Sequence, residues 1–153
     1  MAIANEEAVR EDPLVSFHFM IDVQGEITGY FSEVSGLGSE SEIIEQKVVN
    51  EKGIEIVKKI PGRLKWGDIT LKRGITSNMD MWKWRQKVEE GKVGEARKNG
   101  SIVMFDQELA EKARWNFING WPTKISGPAP KADGNEIGVE ELTIAHELIT
   151  RVT

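Results

Sequence analysis

Residues 14–23, Leu14-Val15-Ser16-Phe17-His18-Phe19-Met20-Ile21-Asp22-Val23, alternate apolar and polar along most of their length. Val15, Phe17, Phe19, Ile21 and Val23 share one face, and Ser16, His18 and Asp22 share the other, with Met20 the exception. Only an extended chain puts every second side chain on one side, so the spacing predicts a half-buried strand. Gln24-Gly25-Glu26 supplies a turn, and Ile27 to Val34 is expected to return as the second arm of a hairpin.

Beyond this hairpin, Ser35-Gly36-Leu37-Gly38-Ser39 predicts a loop or bend. From Glu40 to Lys59 the chain is charged but β-leaning, with Ile43, Ile44, Val48 and Val49 in one half and Ile54, Ile56 and Val57 in the other. Gly53 is expected to turn between two extended arms. So charged a hairpin has little to bury against its own domain, and residues 40–60 read as a projecting arm that either stays solvated or packs on another subunit. Pro61-Gly62 reads as a turn, followed by one strand holding Leu64, Trp66, Ile69 and Leu71 and ending near Arg73-Gly74.

One helix of about a dozen residues is predicted next. Ser77 or Asn78 caps it, Asp80 suits its first turn, Met81, Trp84 or Arg85, and Val88 recur at helical spacing, and Gly91 or Gly94 ends it. Ser101 to Phe105 and the alternation of Ala113, Trp115 and Phe117 return to strands, with Asp106-Gln107-Glu108 as a turn between them. Gly120-Trp121-Pro122 is expected to interrupt, and Ser126 to Asn135 to form a loop. A last strand runs from Glu136 to about Arg151, with Leu142, Ile144, His146 and Leu148 on one face. Six to eight strands and one helix make a mainly β, α+β fold: a sandwich or small barrel with a helix packed on it.

Composition narrows the function classes. The 153 residues fit one domain, 1–153, with residues 1–12 expected to be a flexible N-terminal segment. At 39% hydrophobic and 29% charged residues the chain has the composition of a globular protein. The net charge of −5 with scattered basic residues argues against a dedicated nucleic-acid binder, which needs a clustered positive footprint. No cysteine is present, which removes disulfides, thiolate nucleophiles and thiolate metal sites. The opening Met1 to Pro13 carries Glu6, Glu7, Glu11 and Asp12 without an apolar stretch and is not expected to be a secretory signal. No apolar run reaches the ~20 residues of a membrane span, so no direct membrane insertion is expected.

A search for chemistry returns no catalytic, cofactor-binding or metal site. His18 and His146 lie in separate strands without a partner at ligand spacing, and a hydrogen-bonded or wall-facing strand histidine is the plain reading. No Gly-x-Ser-x-Gly elbow, phosphate-cradling loop or dinucleotide fingerprint occurs. The paired Glu140-Glu141 point to opposite faces of a strand and share no site. Five tryptophans, Trp66, Trp82, Trp84, Trp115 and Trp121, raise a carbohydrate-binding module as an alternative. Core and interface packing is favoured, since Trp66 and Trp115 sit in amphipathic strands and Trp82 and Trp84 cannot face the same way. What remains is an interaction protein that joins copies of itself through strand edges and the arm.

The residues also resemble a known family. Pro61-Gly62, then Ile69-Thr70-Leu71-Lys72-Arg73-Gly74-Ile75-Thr76 and Met81-Trp82-Lys83-Trp84, are similar to the middle of contractile-tail tube proteins. So are Ala113 to Pro122 and Gly134-Asn135-Glu136-Ile137 with Glu140 to Glu147, in the expected order; Phe17 to Val23 and Val34 to Leu37 also fit. The resemblance implies two packed antiparallel sheets in a β-barrel-like sandwich with one flanking helix. It implies hexameric rings stacked into an inner tube, related to the type VI secretion tube, with a channel for protein cargo or DNA. Implied partners are further copies of the chain, a surrounding sheath, and spike, baseplate-hub and cap proteins at the ends; no cofactor is implied. Synthesis in the bacterial cytoplasm and assembly into a phage tail or phage-tail-like particle follow from the same resemblance. A tube-initiator or baseplate adaptor ring is the alternative within the family. The arm matches the region that reaches neighbouring subunits, making Glu40, Glu42, Ile43, Ile44, Val48, Val49, Ile54, Ile56, Lys58 and Lys59 the expected interface.

Overall fold

A computed structural model describes residues 18–24, 26–74, 77–127 and 138–153. The expected 1–12 segment, Val15 and Phe17 of the first strand, Ile75-Thr76, and most of the 126–135 loop with the start of the last strand lie outside the described residues. Among the described residues the chain forms β1 (His18–Val23), β2 (Ile27–Phe31), β3 (Glu33–Ser35), β4 (Ser39–Val49), β5 (Glu55–Trp66), β6 (Ile69–Gly74), α1 (Asp80–Glu89), α2 (Val93–Ala96), β7 (Lys98–Phe105), β8 (Glu111–Ser126), β9 (Val139–Ala145) and β10 (Leu148–Arg151).

Eight strands form one antiparallel series in the order β2-β1-β7-β8-β9-β6-β3, with β10 also on β8, and β4 and β5 form a separate pair. The 16-residue β8 belongs to both halves of the series. Its first half pairs with β7 and β10, and its second half with β9. At Asn119, with φ 50°, β8 bends. The series does not close into a barrel. Instead β2 and β3, at its two ends, are one run of chain interrupted at Ser32, whose N–H and hydroxyl both donate to the Lys72 carbonyl at 2.9 and 3.0 Å.

One apolar cluster fills the space between the halves. Ile21, Val23, Ile27, Ile102 and Phe117 come from one side and Ile69, Leu71, Leu142 and Ile144 from the other, all buried. The period-two reading of β1 holds, with Ile21 and Val23 inside and Asp22 outside. The Phe117 ring lies across two glycines. A Cβ at Gly100 would stand 2.5 Å from its Cζ, and one at Gly120 would stand 2.4 Å from its Cε2.

The helix carries most of its sequence signals: Met81 and Trp84 are buried and Gly91 follows it with φ 82°. The expected cap differs: Met79, not Ser77 or Asn78, is the N-cap and has no side-chain cap, and the Asn78 side-chain oxygen accepts from the Asp80 N–H at 3.1 Å from one position further out. Trp84 packs into the core with its Nε1 donating to the Ala96 carbonyl at 2.7 Å, so the one-turn α2, which the sequence reading lacks, closes over it. The turn at 106–108 is also present. Asp106 Oδ1 accepts from the Ala110 and Glu108 N–H groups, each at 2.9 Å, and these bonds, helped by Lys112, hold its carboxyl below the usual aspartate range.

Four boundaries differ from the sequence reading. Pro61-Gly62 is not a turn but part of β5, opposite Ile43, beside a register shift between Ser41 and Ile43. Proline is tolerated there because β5 pairs on one side only, and an unpaired edge asks for no N–H. The strand expected over Leu64 to Leu71 is therefore two strands, β5 and β6, parted at Gly67-Asp68. Gly120-Trp121-Pro122 bends β8 without ending it. The last strand breaks at His146-Glu147 because its neighbour β8 bends alongside. Glu147 N–H donates to the Ile118 carbonyl at 3.1 Å, and Asn119 Nδ2 to Glu147 Oε2 at 2.6 Å. The break flips the alternation, so Ile149 is buried and Leu148 exposed.

Gly36 has φ 85°, and a Cβ on it would fall 1.9 Å from the Asp68 carbonyl oxygen. Gly36→Ala is therefore expected to cost at least about 2 kcal/mol, the left-handed backbone adding to the overlap. Equilibrium urea unfolding checks this; a change below about 0.5 kcal/mol would refute it.

Candidate assembly surface

The arm is the part of the molecule whose chemistry its own fold leaves unanswered. Its two strands pair over Ser39 to Val49 and Glu55 to Trp66, so it is longer at its root than the expected 40–60. The tip is built locally: Asn50 Oδ1 accepts from the Lys52 and Ile54 N–H groups, each at 3.0 Å, and Gly53 turns with φ 75°. At the root Leu37 and Trp66 pack on the core, and the Gly67 N–H reaches the Gly38 carbonyl at 3.4 Å.

Between root and tip the arm stands in solvent. Every residue from Ser39 to Lys65 is exposed except Val48, Asn50 and Gly62, which are partly covered. Ile43 is 64% exposed, Ile44 54% and Val49 68%, and Ile54, Val57, Ile60 and Leu64 are exposed as well. Single apolar residues on a surface are ordinary, but so many on one protruding pair of strands make it a candidate interaction surface. All ten expected interface residues, Glu40, Glu42, Ile43, Ile44, Val48, Val49, Ile54, Ile56, Lys58 and Lys59, are brought together on or beside this one hairpin. The ion pairs along it, Lys65 with Glu42 at 2.6 Å and Lys47 with Glu55 at 4.0 Å, are solvated and contribute little.

A second polar constellation lies inside the body and was not found by sequence reasoning. Arg73 and Glu140 are directly opposite in the β6–β9 ladder and both are buried. Arg73 Nε donates to Glu140 Oε2 at 3.3 Å, and Arg73 Nη2 donates to Asp80 Oδ1 at 2.9 Å and to the Asn78 carbonyl at 3.3 Å. Trp82 Nε1 donates to Glu140 Oε1 at 2.8 Å, and the guanidinium lies 5.4 Å from the Phe31 ring centroid. The network ties the start of α1 to the sheet, which makes it a structural device. The one available signal was the exact opposition of Lys72-Arg73 with Glu140-Glu141, which needs the strand register. As expected, Glu140 and Glu141 face opposite ways, Glu140 inward.

The remaining candidates stay apart. His18 is exposed on β1, whereas His146 sits at the β9–β10 break with Nε2 3.0 Å from the Gly67 carbonyl, and so donates from that nitrogen. Among the described residues no group of three His, Asp or Glu side chains is placed to hold a metal ion. Trp82 spends its N–H on Glu140, while Trp115 lies beneath Arg151, 5.7 Å from guanidinium carbon to ring centroid. No helix among the described residues is long and apolar enough to cross a membrane.

A family model described as T4-like virus tail tube protein gp19 matches residues 15–150. The chain belongs to that family. This tail tube family member is a subunit of an inner tube, and the family is one of structural proteins. Its fold is shared with a chain of the sheath–tube complex of an extracellular contractile injection system, PVC, at 24% identity, 96% coverage of both chains and a TM-score of 0.75. A chain of the tube-terminating cap of the anti-feeding prophage is 25% identical, with 94% and 93% coverage and a TM-score of 0.74. Hcp1 from Flavobacterium johnsoniae has the same fold at 15% identity, with 88% and 94% coverage and a TM-score of 0.55. Comparison with curated protein sequences finds no match.

Proposed function

We propose that this tail tube protein builds the inner tube of a phage tail or phage-tail-like contractile particle as hexameric rings stacked about a continuous channel. The observation that carries the reading is the arm: a paired, ordered hairpin with its apolar side chains in solvent, on a fold shared with tube proteins. Such an arm is satisfied only by sister copies. The chain acts as one domain from residue 1 to 153 and performs no catalysis; its contribution is stiffness, register and a passable bore. Around it a sheath, and at its ends a hub or cap, complete the particle, as the sheath–tube, cap and baseplate assemblies of its structural relatives support. Protein cargo or DNA passes along the lumen.

Negative-stain microscopy of the purified protein tests this. Rings with an open bore that stack into tubes are expected at high protein concentration. Discrete rings that never stack would assign the chain to a single initiator or terminator layer instead. A monomer at every concentration and ionic strength, with or without preformed tube ends, would refute assembly altogether.

A further inference from the structure

We infer that residues 14–17, which lie outside the described residues, dock as a strand on the free edge of β3, so that the chain itself closes an edge on which a second copy would otherwise pair. The docking belongs to the single subunit and does not depend on the tube.

Strand β3 pairs with β6 on one side and, among the described residues, with no strand on the other. Beside it lies an open groove, bordered by Phe19 of β1, Val34 and Ser35 of β3, and Thr70 and Lys72 of β6. An uncovered strand edge is a template for another strand. The nearest chain able to fill it is the one that enters β1. Phe19 stands opposite Phe31 in the β1–β2 ladder, and β2 and β3 are one run of chain interrupted at Ser32. A strand traced back from His18 therefore passes Ser32 and then runs along β3.

The residue types suit that place. Val15 and Phe17 continue the face of Phe19 and Ile21, and Ser16 continues the face of His18 and Asp22. Pro13 stands just before them, where the start of an edge strand asks for no N–H. The family match begins at residue 15, so the stretch is part of the domain rather than a tail added to it.

Burial fixes the register. Phe31 and Val34 both pack on the core, yet three positions apart they cannot share a face of a regular strand. Ser32 is therefore an extra residue, a bulge, and its N–H and hydroxyl both turn to the Lys72 carbonyl. One extra residue moves the pairing by one. Phe17 then comes opposite Val34, both inward, and Ser16 opposite Ser35, both outward. Val15 comes opposite Gly36, where φ 85° ends the strand. Without the shift Phe17 would meet the exposed Glu33.

The chain has no cysteine, so two serines can report on the pairing. Ser16→Cys with Ser35→Cys is made in the full chain and oxidised with glutathione disulfide in dilute solution, since opposite residues of antiparallel strands lie within disulfide reach. A bridge within one chain is expected, read as a monomer without free thiols by non-reducing electrophoresis and mass spectrometry. Ser16→Cys with Val34→Cys should close about tenfold more slowly or not at all, because those side chains leave opposite faces. Covalent dimers as the main product would give the edge to a second copy, and two free thiols would leave it open; either result overturns the docking. A faster bridge from 16 to 34 than from 16 to 35 would overturn the bulged register. Amide hydrogen exchange of the dilute, unsubstituted chain needs no variant. Exchange slowed about tenfold or more at one or more of residues 15–17, against residues 2–8, is expected, and equal rates would overturn the proposal.

Discussion

Replacing Arg73 by methionine is expected to destabilise the isolated subunit by about 3–5 kcal/mol, a large part of the stability a domain has. Glu140 has its side chain 3% exposed, and its two partners are Arg73 and the Trp82 indole. Removing the guanidinium leaves a carboxylate in the interior with one neutral donor, and taking such a charge out of water unpaired costs far more than a surface ion pair returns. Asp80 loses its cation at the same time, which frees the first turn of α1 from the sheet. At this chain length the loss is a drop in Tm of roughly 10 °C. A second variant separates this from simple loss of packing. Arg73→Met with Glu140→Leu removes both charges and is expected to be more stable than Arg73→Met alone, since an apolar pair of similar size needs no compensation. Thermal unfolding of the three proteins decides. A single substitution costing under about 1 kcal/mol, or a double variant worse than the single, would show that the buried ions are not coupled as the geometry indicates.

The same network shows where reading the sequence reaches its limit. The apolar alternation of β1, the helical spacing of Met81, Trp84 and Val88, and the glycine bend at 36–38 were legible because each is decided by residues a few positions apart. Arg73 and Glu140 are 67 residues apart, and each alone reads as a solvated strand residue. Only the β6–β9 register makes them a pair. The boundaries that shifted have the same cause. Pro61-Gly62 has the composition of a turn, but a hairpin edge that pairs on one side accepts a proline, and at Gly62 the strands run close, a Cβ there falling 3.1 Å from the Glu42 carbonyl oxygen. The break at His146-Glu147 is imposed by the bend of β8, and no local signal in Ala145-His146-Glu147-Leu148 announces it. The arm, in contrast, was legible as a projecting element because its mixture of charge and apolar pairs fits no half-buried strand. The assembly role proposed for it rests on the mismatch between what it exposes and what its own chain covers.

The largest effect on assembly is expected from Ile43→Asp combined with Ile44→Asp. The two positions are adjacent, so their side chains leave opposite faces of β4, and one variant places a carboxylate on both. In the free subunit this is nearly neutral. Both side chains are more than half exposed, and surface replacements usually stay within about 0.5 kcal/mol, so the variant should fold with a Tm within about 2 °C of the parent. In the assembled tube each carboxylate would be pressed into a contact otherwise made by isoleucine, without a donor, at several kcal/mol per arm. Because each 1.4 kcal/mol is tenfold in an equilibrium constant, the concentration needed for tubes should rise by more than about 100-fold. Sedimentation of a dilution series and negative-stain micrographs measure that threshold, and circular dichroism confirms the fold. Tubes forming at the parent concentration would take the arm out of the interface. An unfolded product would instead show that the hairpin contributes to the stability of the body, against its exposure along nearly its whole length.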